Sequence, residues 1–174
     1  MKNLILICPT ISQPRFHKRA DQLDDIFHLE IFAFSRGLYE MNTFPKKFSP
    51  IQLGKIKDKF YLKRIFKLIR AIFIIRKHVI KYDKKDTLFY AFSLDTLIIG
   101  WMCGIKTGFY EVGDIRFDRN KKTIFSRLEN LFARNLKAVV VTSPKFVDEI
   151  KKSGSRLKNI PYILIENKMP EGLS

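Results

Sequence analysis

Short, unbroken apolar runs alternate along this chain with longer stretches in which apolar residues recur every three or four positions. Residues 3–8 (NLILIC) lack the alternating polarity of a half-solvated strand and predict a strand buried on both faces. Residues 15–27 place Phe16, Ala20, Leu23 and Phe27 at helical spacing. A second strand is predicted at 29–34 (LEIFAF), closed by Ser35-Arg36-Gly37, and residues 38–50, with Pro45 and Pro50, read as a loop. A third strand follows at 51–56, a long helix at about 58–82, and a fourth strand at 87–92 (TLFYAF). The remainder predicts a short apolar helix over 94–104 ending at Gly104, a strand at 106–112, a helix at 120–135 and a strand at 138–143. A helix over 144–154, with Pro at its start and Gly at its end, and a seventh strand at 162–166 complete the pattern.

Strands without polar alternation, each separated by a helix, define a parallel sheet covered on both faces. The prediction is a doubly wound, Rossmann-like α/β domain of about seven strands, and no repeat or linker divides the 174 residues. Ligands of such sheets sit beyond the carboxyl ends of the strands, near the point where strand order reverses. That rule places PTISQPR after the first strand, SLD (93–95) after the fourth and EVGDIR (111–116) after the fifth on one rim.

Charge changes the picture. The chain carries 33 Lys and Arg against 17 Asp and Glu, a net +16 with pI near 9.9. Such a field attracts phosphate in nucleic acid, in lipid headgroups or in a small substrate. Cys8 and Cys103 lie in apolar runs without a CxxC or Cys/His cluster, which predicts buried, reduced thiols in a cytosolic protein. His17, His28 and His78 show no ligand spacing, so no metal site is expected. No apolar run approaches the roughly 20 residues that span a bilayer.

Candidate chemistry concentrates on the rim. Arg15, His17, Lys18 and Arg19 open the first helix, where backbone N–H groups already favour anions. Cations there run against the helix dipole, which leaves a phosphate contact or a solvated basic turn as the two readings. Ser93, Asp95, Glu111, Asp114 and Arg116 gather around the same cleft. Its carboxylates could bind sugar hydroxyls, or Glu111 or Asp114 could act as a general base; Asp95 could equally cap the following helix, and Asp114 a turn with Gly113. No GxGxxG or GxxxxGK[ST] occurs, so neither a dinucleotide fingerprint nor a Walker site is supported.

The long helix carries a second signal. At about 100° per residue, Lys59, Lys63, Lys67, Arg70, Lys77 and Lys81 share a sector of about 80° beside a wide apolar arc. That pattern suits an anionic membrane surface, or an ordinary sheet-covering helix with a solvated basic face. Nucleic acid is the rival explanation of the charge, although no RNP-like, KH-like or zinc-finger pattern is present.

In order and spacing, these segments resemble the N-terminal, acceptor-binding domain of a GT-B glycosyltransferase of the family-4 (group 1) type. The resemblance rests on PRFHKRADQL after the first strand, FAFSRG at the end of the second, FYEVGDIR, VVVTSPKFVDEI, and YILIENKMPEG at the end of the chain. Each motif is degenerate, and PTISQP stands where many relatives place glycines near the donor phosphates.

The resemblance implies a Rossmann-like domain over residues 1–174 that holds the acceptor. The nucleotide-sugar would be bound by a C-terminal domain or a separate subunit, so the chain alone is expected not to transfer sugar, and no cofactor of its own is expected. Glu111, Asp114 and Arg116 would line the interdomain cleft, with Arg15 to Arg19 facing them. Either acid is a candidate base only if the enzyme inverts. The implied acceptor is a polysaccharide or lipid-linked sugar at the cytoplasmic face of a membrane, with the protein peripheral there. A stand-alone basic module for nucleic acid or anionic lipid, without catalysis, remains the alternative.

Overall fold

In the computed structural model the chain enters through β1 (Asn3–Cys8), α1 (Pro14–Asp24) and β2 (His28–Ser35), then passes to β3 (Ile51–Lys55) and the long α2 (Tyr61–Val79). It continues through β4 (Thr87–Ala91), α3 (Leu94–Met102), β5 (Gly108–Val112), α4 (Ile124–Phe132), β6 (Leu136–Val141), α5 (Pro144–Lys152) and β7 (Tyr162–Leu164). The structure describes residues 1–35, 44–56, 61–113 and 123–165.

All seven strands pair in parallel, in the order β3-β2-β1-β4-β5-β6-β7. Strand order reverses between β1 and β4, which fixes the rim at the carboxyl ends of β1, β4 and β5. The layers are unequal. Ile5, Ile7, Phe32, Phe89, Tyr110, Val139 and Val141 point to the face that packs against α2, α3, α4 and α5. Leu4, Leu6, Cys8, Ile31, Tyr90 and Val140 point to the other face, where Phe16 and Ala20 of α1 close the core.

Several boundaries differ from those predicted. The first helix stops at Asp24 rather than 27, because His28 donates to the Lys2 carbonyl and enters the sheet directly. The sixth strand lies two residues earlier than predicted, since Leu136 already pairs with Gly108 and Ser143 leaves the sheet to cap α5. Ser93, not Asp95, caps α3, through a capping box with Thr96. The predicted starts of the long helix at 58 and of the helix over 120–135 lie outside the described residues.

Cys8 and Cys103 are free and buried. Burial raises both thiols, Cys103 from 9.0 to about 12. Burial likewise lifts the Tyr90 hydroxyl. A raised pKa keeps these groups protonated in the folded state while the unfolded chain ionises, so their stabilisation is full below about pH 9 and falls as pH rises towards 12. Urea midpoints measured at pH 8 and pH 10.5 should therefore decline, and neither thiol should react with a thiol reagent until the chain unfolds. Rapid labelling of both thiols in the folded protein would contradict that burial.

Candidate functional site

The rim is organised by a buried ion pair that joins α1 to β5. Arg19, 3% exposed, donates from Nε to Oε2 of Glu111, 2% exposed, at 3.1 Å. Tyr90 on the adjacent β4 donates its hydroxyl to the same oxygen at 2.6 Å. Gln22 accepts from Arg19 Nη1, so the guanidinium is held at two points. Residues at one face of neighbouring parallel strands stand side by side, which brings Tyr90 and Glu111 together; α1 crosses that same face and lowers Arg19 onto them. Glu111 Oε1 is buried without a partner.

This geometry assigns Glu111 a holding role. Its carboxylate binds α1 and β4 to the end of β5 and presents no exposed oxygen to an acceptor hydroxyl. Glu111, expected to line the cleft, is buried beneath the rim in this chain. Asp114 and Arg116 lie outside the described residues.

Among the described residues, Arg15 is the cation that reaches the rim itself. It sits one turn before Arg19 on α1, and a Cβ added to Gly113 at the exit of β5 would come within 2.2 Å of its Nη1. A glycine at 113 therefore makes the space in which the guanidinium lies. Arg15 also stacks over Phe16, 4.9 Å from the ring centroid, and its Nε is buried without a partner. Alongside it, the loop after β1 carries Thr10 and Ser12, whose hydroxyls are 3.2 Å apart. Gln13 caps α1 without a side-chain hydrogen bond, Pro14 has no N–H and the Phe16 N–H donates to the Gln13 carbonyl, so the first turn offers the Arg15 N–H alone to a ligand.

The other predicted rim residues divide. His17 bonds the Ile11 carbonyl at 2.8 Å and packs against Phe44, so it braces the loop. Lys18 is exposed on α1. Ser93 spends its hydroxyl on the α3 cap, and Asp95 pairs with Arg64 of α2. Tyr90 was the residue that sequence reasoning missed; its signal is a hydroxyl in an otherwise apolar strand, on the same face as Glu111. A second buried carboxylate, Glu129 of α4, accepts from the Tyr110 hydroxyl at 3.1 Å on the opposite face. Among the described residues no cluster of His, Cys, Asp and Glu could hold a metal ion.

On α2 the structure redraws the basic stripe. Lys59 and the side chain of Lys63 lie outside the described residues. Lys67 is half-buried and bonds the Lys55 carbonyl, and Lys81 bonds Glu30 at 2.6 Å. Arg70 and Lys77 remain exposed. Beside them stand Ile65 (52% exposed), Phe66 (72%), Ile69 (45%) and Phe73 (66%), within a sector of about 100°, with Ile80 (84%) just past the end of the helix. The outward face of α2 is therefore an apolar band edged by cations. Among the described residues no helix is long and apolar enough to cross a membrane.

This fold, with its rim at the switch between β1 and β4, is that of one half of a GT-B glycosyltransferase. No family model matches the chain, and no curated protein matches it by sequence. Solved structures match it by shape. HepE from Anabaena, in complex with UDP-glucose, superposes with TM-score 0.62 at 16% identity, over 95% of this chain and 44% of its own. A sucrose-phosphate synthase structure from Thermosynechococcus elongatus gives 0.57 at 15% identity, over 97% of this chain and 90% of its own. MurG from Acinetobacter baumannii gives 0.51 at 13% identity, over 99% and 47%. The chain thus spans less than half the length of the HepE and MurG structures.

Proposed function

We propose that this chain is the acceptor-binding half of a glycosyltransferase that moves a sugar from a nucleotide-sugar to a lipid-linked or polysaccharide acceptor at a membrane surface. The observation that carries the reading is the shape match along almost the whole chain to structures such as HepE with UDP-glucose, with a cationic rim at the expected end of the sheet. The reaction joins an acceptor hydroxyl oxygen to the anomeric carbon as the bond from that carbon to the nucleotide phosphate breaks. The donor is held by a second domain or subunit. Arg15 and the start of α1 hold the phosphate or other anionic group that anchors the acceptor, and the buried Arg19–Glu111–Tyr90 network keeps α1 in place for it. If the enzyme inverts, Asp114 is the remaining candidate base.

The apolar and basic face of α2 supports peripheral docking on anionic lipid, with aromatic and aliphatic side chains entering the headgroup region and Arg70 and Lys77 facing phosphates. The net charge of +16 is shared by the rival reading, a basic module for nucleic acid.

The test separates rim from membrane. Vesicles of phosphatidylglycerol and phosphatidylcholine are prepared with and without a polyisoprenyl-diphosphate-linked saccharide. The protein should bind the saccharide-bearing vesicles more tightly by on the order of tenfold, as expected for one charge-assisted anchor. Gly113→Ala should remove that margin by pushing the Arg15 guanidinium aside, with little loss of stability, because the atom it displaces ends a flexible side chain. Equal binding to both vesicle types, or tighter binding to duplex DNA than to either, would reject the acceptor reading.

A further inference from the structure

The sheet has a second opening, at the end opposite the rim. A cavity of about 400 Å³ is lined by Phe27, His28, Leu29, Glu30, Ile31 and Phe48, among others. Side chains alternate between the faces of a strand, so four consecutive strand residues can line one cavity only along the strand's edge. That edge is open. β2 begins at His28, but β3 joins it only at Ile51, opposite Phe32. His28 directs its N–H to the Lys2 carbonyl on the β1 side, so Leu29 and Ile31 direct their backbone groups outward. With Phe32 in register with Ile51, parallel-ladder alternation gives the first β3 bond to the Ile31 carbonyl and turns the Leu29 N–H and C=O and the Ile31 N–H towards the cavity.

The two walls differ in chemistry. Leu29, Ile31, Phe27 and Phe48 form an apolar wall continuous with the core beneath α1. On the other face Glu30 accepts at Oε1 from Lys81 and from the Tyr82 hydroxyl, at 2.6 and 2.9 Å, while its buried Oε2 has no partner.

We propose that this edge is a docking site for an extended peptide that adds a short strand to β2. Its backbone pairs with Leu29 and Ile31, one side chain is an aliphatic or aromatic residue set against Phe27 and Phe48, and the next is Lys or Arg that lies beside the Glu30 carboxylate. Preference for a basic peptide opposes the overall charge of +16, which would draw any acidic peptide non-specifically. The site lies away from the sugar-transfer rim and does not depend on the glycosyltransferase reading.

The experiment uses the whole chain and fluorescein-labelled peptides read by polarisation. The first is Ser-Val-Lys-Val-Thr-Ser, the second carries Glu in place of Lys, and the third is the first with its backbone amides N-methylated at the two valines. Saturable binding of the first is expected, weakened on the order of tenfold by either change. Glu30→Gln should abolish the preference for Lys over Glu while the effect of N-methylation persists. Absence of saturable binding up to about 1 mM, a millimolar limit beyond which affinity has no specificity, would overturn the proposal. So would equal affinity for the methylated peptide, or a Lys preference that Glu30→Gln leaves intact.

Discussion

Replacing Arg19 with methionine should lower the unfolding free energy by about 3–5 kcal/mol, the cost of leaving a buried carboxylate without its counter-charge. Arg19 and Glu111 are each at most 3% exposed, and Glu111 already has one oxygen without a partner, so water cannot compensate for the lost bond. The double variant Arg19→Met/Glu111→Leu should recover most of the loss, because two apolar groups of similar volume leave no charge to solvate. Tyr90 then loses its acceptor, and adding Tyr90→Phe should recover a further amount of about 1 kcal/mol. Urea denaturation of the wild type and the three variants measures this series. A loss below about 1 kcal/mol for Arg19→Met, the range of an exposed pair, would show that the pair is solvated rather than buried.

The second large effect concerns α2. The double variant Phe66→Glu/Phe73→Glu should reduce binding to phosphatidylglycerol vesicles by on the order of a hundredfold or more. Each phenylalanine loses about 1.5–3 kcal/mol of apolar burial in the interface, and each new carboxylate is repelled by anionic headgroups. Both side chains are about two-thirds exposed or more, so folding should be unchanged. Arg70→Glu/Lys77→Glu should weaken binding less, and its effect should fade as salt rises. Vesicle sedimentation across a salt series reads both. Retention of binding by the Phe66/Phe73 variant would return the affinity to general charge, and with it the nucleic-acid alternative.

Sequence patterning made the architecture readable because the central strands β1, β4, β5 and β6 are buried on both faces along most of their length. An uninterrupted run such as LILIC or VVV can satisfy that burial only inside a parallel sheet. The position of the rim followed from the same rule, since strand order and crossover geometry leave few options. Pairing was not readable. Arg19 and Glu111 are 92 residues apart, and nothing local distinguishes Arg19 from Arg15 or Lys18. Only the descent of α1 onto the face shared by Tyr90 and Glu111 decides which cation is buried.

The wheel of α2 failed in a related way. Angular spacing put Lys67 and Lys81 on a free stripe, yet Lys67 reaches the Lys55 carbonyl at the end of β3 and Lys81 reaches Glu30 on β2. Periodicity gives the angle of a side chain about its own helix. It does not reveal which neighbouring backbone ends beneath that angle. Asp95 shows the same limit at short range: the first turn of α3 offered it a capping role, but Ser93 with Thr96 supplies the cap, and Asp95 turns to Arg64 on α2.

The central claim is that the protein works in sugar transfer at a membrane, through an acceptor held near Arg15. Its most direct test is the protein isolated from its native source and incubated with radiolabelled nucleotide-sugars and membranes from the same source. The account predicts label in the lipid-linked or polysaccharide fraction, sharply reduced when Arg15→Ala replaces the wild-type protein. If no nucleotide-sugar is consumed while the protein binds DNA with a steep salt dependence, the chain is a basic binding module and the acceptor reading is wrong.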